Sequence, residues 1–157
     1  MSDDIYLTRE FFHQLHDEFE QLKKDSIKIS REIETARLQG DLSENAEYDA
    51  AKEAQAHNAA RRTDLEDKLA RVKIIEDQDI PSDKIFIGAI VTLKDLDTDE
   101  EMKYMMVSPE ESDFEKNKIS MFSPIGKALV GHSKGEVLEI KVPAGVLKYK
   151  VLRIKRP

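Results

Sequence analysis

A chain of 157 residues suffices for one ordinary domain or two small lobes, and 36% charged residues with 6% aromatics and no Trp leave few large side chains for a core. The absence of Cys removes disulfide frameworks, thiolate metal sites and cysteine nucleophiles together, and it fits a reducing compartment. Residues 1–79 carry 12 Lys+Arg against 20 Asp+Glu, net −8, whereas residues 80–157 carry 13 against 12, net +1. Phosphate affinity comes largely from Lys and Arg that release counterions, so an acidic chain of this kind is a poor free-standing binder of nucleic acid. The opening MSDDIYLTRE lacks a basic region followed by an apolar run, and no apolar stretch nears the roughly 18 residues of a membrane span. A soluble cytoplasmic protein with no membrane partner is expected.

From Phe12 the apolar positions step by four and three through Leu15, Phe19, Leu22, Ser26, Ile29, Ile33 and Ala36, a heptad seam uninterrupted by Pro or Gly. Thr8 with Glu10 and Phe11 marks a start, and Gly40 supplies the left-handed stop. At about 1.5 Å per residue the rod is on the order of 50 Å long. The pattern resumes through Tyr48, Ala51, Gln55, Asn58, Arg62, Leu65, Leu69 and Val72. A connection of two or three residues forces the helices side by side and antiparallel, as a helical hairpin. Its seam is apolar at the base, where Phe12, Leu15 and Phe19 face Leu65, Leu69 and Val72, and small or polar further out at Ser26, Ala51, Gln55 and Asn58. The distal part therefore exists for some reason other than burial.

After Val72 the segment EDQDIPSDK breaks the period and reads as a linker. Beyond it, IFIGAIVTLKDL, MKYMMVS, KISMF, GEVLEIKVP and VLKYKVLRIKR are rich in β-branched and aromatic residues and partly alternate, as strands do. SPIGKALVG sits between two of them, with Ser123 as N-cap, Pro124 at the first helical position and Gly131 closing the turn. SPEESDFEKN has room for another helical turn. The expected class is α+β: a coiled-coil hairpin over residues 1–76, a linker over 77–84, and a small antiparallel β-sheet domain with one short helix over 85–157.

The chemistry concentrates in GDLSENAEYDAAKEAQ, residues 40–55, where the helices meet. Asp41 and Glu44, three apart, read either as a capping box or as oxygen ligands for Mg²⁺. Two acids alone hold Mg²⁺ weakly, so the second reading requires another molecule to complete the shell. Ser43 is an alternative cap. Asn45 and Tyr48 serve either to satisfy and pack the turn or to shape its tip. Arg37 and Lys52, at similar depth on the two helices, are either solvated charges or contacts for an anion. His13, His16, His57 and His132 have no metal-ligand spacing, and Gly126, Gly131 and Gly135 form no phosphate loop.

GDLSENAEYDAAKEAQ resembles one signature of the Gre family of bacterial transcript cleavage factors, and SPIGKALVGHSKGEVLEIKVPAG, residues 123–145, resembles the other. The resemblance spans nearly the whole chain. It implies a C-terminal domain of FKBP-like fold that docks on the rim of the RNA polymerase secondary channel, through the region of Ser123, Pro124, Ile125 and Gly126. It also implies a coiled coil inserted down the channel, with Asp41 and Glu44 helping to hold a Mg²⁺ shared with the polymerase and absent from the free protein. Arg37 and Lys52 match the family's basic patch towards extruded RNA. The implied outcome is endonucleolytic cleavage of the 3′ end of backtracked nascent RNA, with the polymerase as the enzyme. Two other classes stay open: a non-catalytic regulator of the same channel, and a prolyl isomerase suggested by the FKBP-like fold alone. The latter needs an aromatic-lined pocket, for which residues 80–157 offer Phe86, Tyr104, Phe114, Phe122 and Tyr149.

Overall fold

The computed structural model describes residues 3–40 and 45–157, and the chain divides into two compact units, Phe12–Val72 and a second formed by Met1–Phe11 with Lys73–Pro157. Two helices make the first unit, α1 (Arg9–Arg37, whose first turn belongs to the second unit) and α2 (Ala46–Leu69). Each seam position from Phe12 to Ala36 and from Tyr48 to Leu69 is withdrawn from solvent, and Leu15, Ala36, Ala51, Asn58 and Leu65 are buried. Side chains link residue 18 with 61, 22 with 58 and 36 with 45, one number rising as the other falls, so the helices run antiparallel. The expected α+β class with an N-terminal helical hairpin is present.

The connection is longer than expected, because α1 ends at Arg37 and α2 begins at Ala46. The last turn of α1 tightens, with the Leu38 amide shared between the Glu34 and Thr35 carbonyls, and Gly40 then takes φ +127°. A bifurcated amide is a usual way for a helix to end.

The second unit holds two sheets. Strand β1 (Ile5–Leu7) pairs with β2 (Val72–Ile74). The larger sheet runs β5-β4-β3-β7-β6, from β3 (Ile90–Asp95), β4 (Glu101–Val107), β5 (Lys118–Ser120), β6 (Val137–Val142) and β7 (Gly145–Lys155). Alternation decides the inner face: in β6, Leu138 and Ile140 are buried while Val137, Glu139 and Lys141 are exposed. The core joins these to Val91, Leu93, Met106, Ile119, Tyr149 and Val151, with Leu129 of the short helix α3 (Pro124–Leu129) beneath. Burying each of the larger side chains contributes about 1.5–3 kcal/mol. Burial also raises the pKa of the Tyr149 phenol above its ordinary value.

One pair departs from the expected antiparallel sheet. β4 and β5 are parallel, because residues 108–117 cross back through 3₁₀ turns at Pro109–Glu111 and Phe114–Lys116 before β5 begins. The boundary between units also differs from the expected division at residues 76 and 84. Thr8, at the end of β1, donates its amide and hydroxyl to the fully buried Glu111 carboxylate at 2.9 and 2.7 Å, and Lys118 donates to the same group at 3.0 Å. Arg156 donates to the carbonyls of Ile75, Gln78 and Ile87, and Ile75 is wholly buried, so residues 75–78 are tied to the sheet unit rather than hanging as a linker.

α3 begins as the sequence predicts, with the Ser123 hydroxyl accepting the Gly126 amide at 3.0 Å. Gly126 has a separate reason to be glycine: a Cβ there would lie 2.0 Å from the Ser120 carbonyl oxygen. Gly126→Ala is expected to destabilise the sheet unit by about 3 kcal/mol or more, read as a lowered urea midpoint. Glu111→Ala, which strands Lys118 and the Thr8 donors, is expected to cost about 2–4 kcal/mol in the same measurement.

Candidate functional site at the end of the hairpin

The residues flanking the meeting point of the two helices set the site. Asn45 is the N-cap of α2, its Oδ1 accepting the Tyr48 amide at 3.1 Å, and its Nδ2 donates to the Ala36 carbonyl of α1 at 2.6 Å. The cap weighed from sequence for Asp41 or Ser43 thus falls on Asn45. Asp41, Ser43 and Glu44 themselves lie outside the described residues. Tyr48 is half-buried on the seam.

Arg37, the last residue of α1, is exposed and lies 3.5 Å from Glu34. Lys52 is exposed on α2 and donates to Gln55 at 3.2 Å. Such one-turn contacts on a solvated surface are worth about 0.2–0.5 kcal/mol, too little to keep either cation from a stronger anion. Arg61 differs, because it grips Glu18 across the hairpin with two bonds of 3.0 and 2.9 Å and also reaches Asp64. The hydrogen bond to Glu18 raises its pKa above the ordinary value. Arg62 donates to Asn58 at 2.7 Å, and Asn58 donates in turn to the Leu22 carbonyl at 2.9 Å.

Sequence reasoning missed a groove between the helices short of their ends. It holds about 560 Å³ and is lined by Ala36, Ala50, Ala51 and Ala54, with Lys28, Arg31 and Glu32 on its α1 side and Glu47 on its α2 side. The spacing of Lys28 and Arg31, one turn apart on α1 beside the seam, was the available signal.

In the sheet unit, Ser123, Pro124 and Ile125 line a mostly apolar depression of about 360 Å³ together with Phe114, Ile119 and Val142. Phe114 and Phe122 are 81% and 69% exposed. Gly126 is buried beneath, so three of the four residues expected to dock present a surface and the fourth supports them. The five aromatics of this half are not gathered about one pocket: Tyr149 is in the core, Phe86 and Tyr104 line other depressions, and Phe122 projects outward. That dispersal argues against a prolyl isomerase site.

Among the described residues no group of three or more His, Cys, Asp or Glu could hold a metal ion, and no helix is long and apolar enough to cross a membrane. His132 pairs with Glu136, lowering the pKa of that carboxyl, and His57 lies 3.6 Å from Glu53.

Residues 5–74 match the family model described as transcription elongation factor, N-terminal, and residues 80–156 match that of transcription elongation factor, GreA/GreB, C-term. The chain belongs to the GreA/GreB family of transcription elongation factors. GreA of Chloroherpeton thalassium is 50% identical over 156 residues, covering 99% of each chain. GreA of Syntrophotalea carbinolica is 44% identical over 98% of each, and GreA of Thermosipho africanus 47% identical over 98% of this chain and 97% of its own. A solved structure of Thermus aquaticus Gfh1 is 32% identical over 98% of this chain and 99% of that one, with a TM-score of 0.44. The family resemblance carried by the two signatures, and its leaning toward GreA, are thus borne out.

Asn58→Ala removes the bond to the Leu22 carbonyl and leaves Arg62 without its acceptor. The hairpin is expected to lose about 1–2 kcal/mol, seen as a lower midpoint in the helical circular dichroism signal.

Proposed function

We propose that this transcription elongation factor binds RNA polymerase at its secondary channel and stimulates endonucleolytic cleavage of the 3′ end of backtracked nascent RNA, the polymerase remaining the enzyme. The observation that carries the reading is the likeness to GreA proteins along 98–99% of the chain, hairpin and sheet unit alike.

The chemistry of the donor set is consistent with it. Asp41 and Glu44 fall in sequence between the end of α1 and the Asn45 cap of α2. Two carboxylates match the one or two protein ligands that Mg²⁺ usually takes, and leave the rest of the shell to waters and phosphate oxygens. They would hold the ion only jointly with the polymerase. When bound, Mg²⁺ supplies neutralisation of phosphate charge and activation of the attacking water.

This chain's own part is to deliver and steady. Asp41 and Glu44 donate carboxylate oxygens. Arg37 and Lys52, exposed and each in a weak one-turn contact, turn toward the phosphates of extruded RNA, Lys52 as a point charge without the fork of a guanidinium. The depression at Ser123, Pro124 and Ile125 docks the sheet unit on the polymerase, with the exposed Phe114 at its edge.

Asp41→Asn and Glu44→Gln are each expected to abolish release of a short fragment from 3′-labelled RNA in a stalled, backtracked complex, while polymerase binding stays within about twofold. Lost binding with intact cleavage by the bound fraction would contradict the role given to these acids. Ile125→Glu, which places a charge in the apolar depression, is expected to weaken binding at least about tenfold and leave the cleavage rate at saturation unchanged.

A further inference from the structure

Asn45 bridges the ends of both long helices with the two polar atoms of one side chain. Its Oδ1 takes the Tyr48 amide at the start of α2, and its Nδ2 reaches the Ala36 carbonyl in the last turn of α1 at 2.6 Å. An N-cap alone needs only an acceptor, and Asp or Ser supplies one as well as Asn. The second bond needs a donor that reaches the Ala36 carbonyl at 2.6 Å as well. A carboxylate has no donor, and a serine hydroxyl, which both donates and accepts, sits on a side chain shorter than the asparagine amide.

The location gives the bond its weight. Among the described residues the next hydrogen bond between the helices is Asn58 to the Leu22 carbonyl, thirteen positions along α2. At about 1.5 Å per residue this leaves roughly 20 Å of hairpin without another such bond. In that stretch the seam is filled by the half-buried Ile29, Ile33 and Tyr48 and the small buried Ala36 and Ala51, and apolar contact of this kind has no direction. Ala36 is 3% exposed, so its carbonyl sits where a directed bond is little challenged by water.

We propose that Asn45 is a positioning residue for transcript cleavage. Its Nδ2 bond to the Ala36 carbonyl fixes the end of α1 against the start of α2, and so fixes both anchor points of the connection that carries Asp41 and Glu44. The proposal rests on the cleavage role given above. Reacting groups displaced by about 1 Å can lose on the order of a hundredfold in rate, so a side chain that touches neither metal nor RNA can still set the maximum rate.

The test compares the native protein with Asn45→Asp, which keeps an acceptor for the cap and has no donor, and Asn45→Ser, which keeps an acceptor and draws its one donor back on a shorter side chain. Stimulated cleavage of 3′-labelled RNA in a backtracked polymerase complex is measured against factor concentration, with helical content and amide exchange at Tyr48 followed in parallel. Both variants are expected to keep helicity and Tyr48 protection, to reach half-saturation within about twofold of the native concentration, and to fall at least about tenfold in maximum rate. A maximum rate within about twofold of native in both variants overturns the positioning role alone. So does a loss that appears only in half-saturation or that tracks lost helicity. A native protein that binds polymerase but stimulates no cleavage overturns the functional reading itself, and the positioning role with it.

Discussion

Two helices can run side by side for some 20 residues only if their facing surfaces satisfy each other, and here the outer half of the seam sets small and polar residues among Ile29, Ile33 and Tyr48, which are only half-buried. Ser26, Ala51, Gln55 and Asn58 bring the backbones together without adding much to a core. Direction comes instead from polar bonds: Arg61 to Glu18 near the base, Asn58 to the Leu22 carbonyl further along, and Asn45 to the Ala36 carbonyl at the far end. Arg61 and Glu18 are solvated, and such a pair is worth about 0–1 kcal/mol. The bonds from the two asparagines are partly buried and end on backbone, so they fix register rather than merely adding stability.

The sheet unit solves a different problem. It has a conventional core, and it uses one buried carboxylate, Glu111, to gather Thr8 from the first residues of the chain and Lys118 from β5. Thr8 then caps the first turn of α1, with the Phe11 amide 3.3 Å from its hydroxyl. In the proposed function, the unit with the solid core docks and the unit with the sparse seam reaches, which is the division that their stabilising interactions suit.

The seam was legible because a period of three and four sustained from Phe12 to Ala36 and from Tyr48 to Leu69 has few other readings, and every one of those positions is withdrawn from solvent; Val72, expected to continue the second helix, instead begins β2. The strands were legible from alternation, and the start of α3 from Ser123 followed by Pro124. The α2 cap was not, because Asp41, Ser43 and Asn45 are all good N-cap residues and sequence cannot rank them. The parallel β4 and β5 depend on the course of residues 108–117, and Thr8 and Glu111 are 103 residues apart, so neither leaves a local mark. Gly126, which the resemblance places in the docking region, is also required by the approach of the Ser120 carbonyl. For Asp41 and Glu44, spacing fitted both an ordinary capping box and a weak pair of Mg²⁺ ligands, and the molecule needed to complete the second reading was named by the family signature around them.

The account is tested most directly by finding where the end of the hairpin lies when the protein works. Leu38 is 80% exposed just beyond α1, and a photoreactive side chain placed there in the full-length protein would mark its neighbours in a backtracked elongation complex. Adducts are expected at the polymerase catalytic centre and on the RNA 3′ end. Adducts confined to the outer surface of the polymerase, in complexes that still cleave their RNA, would contradict it.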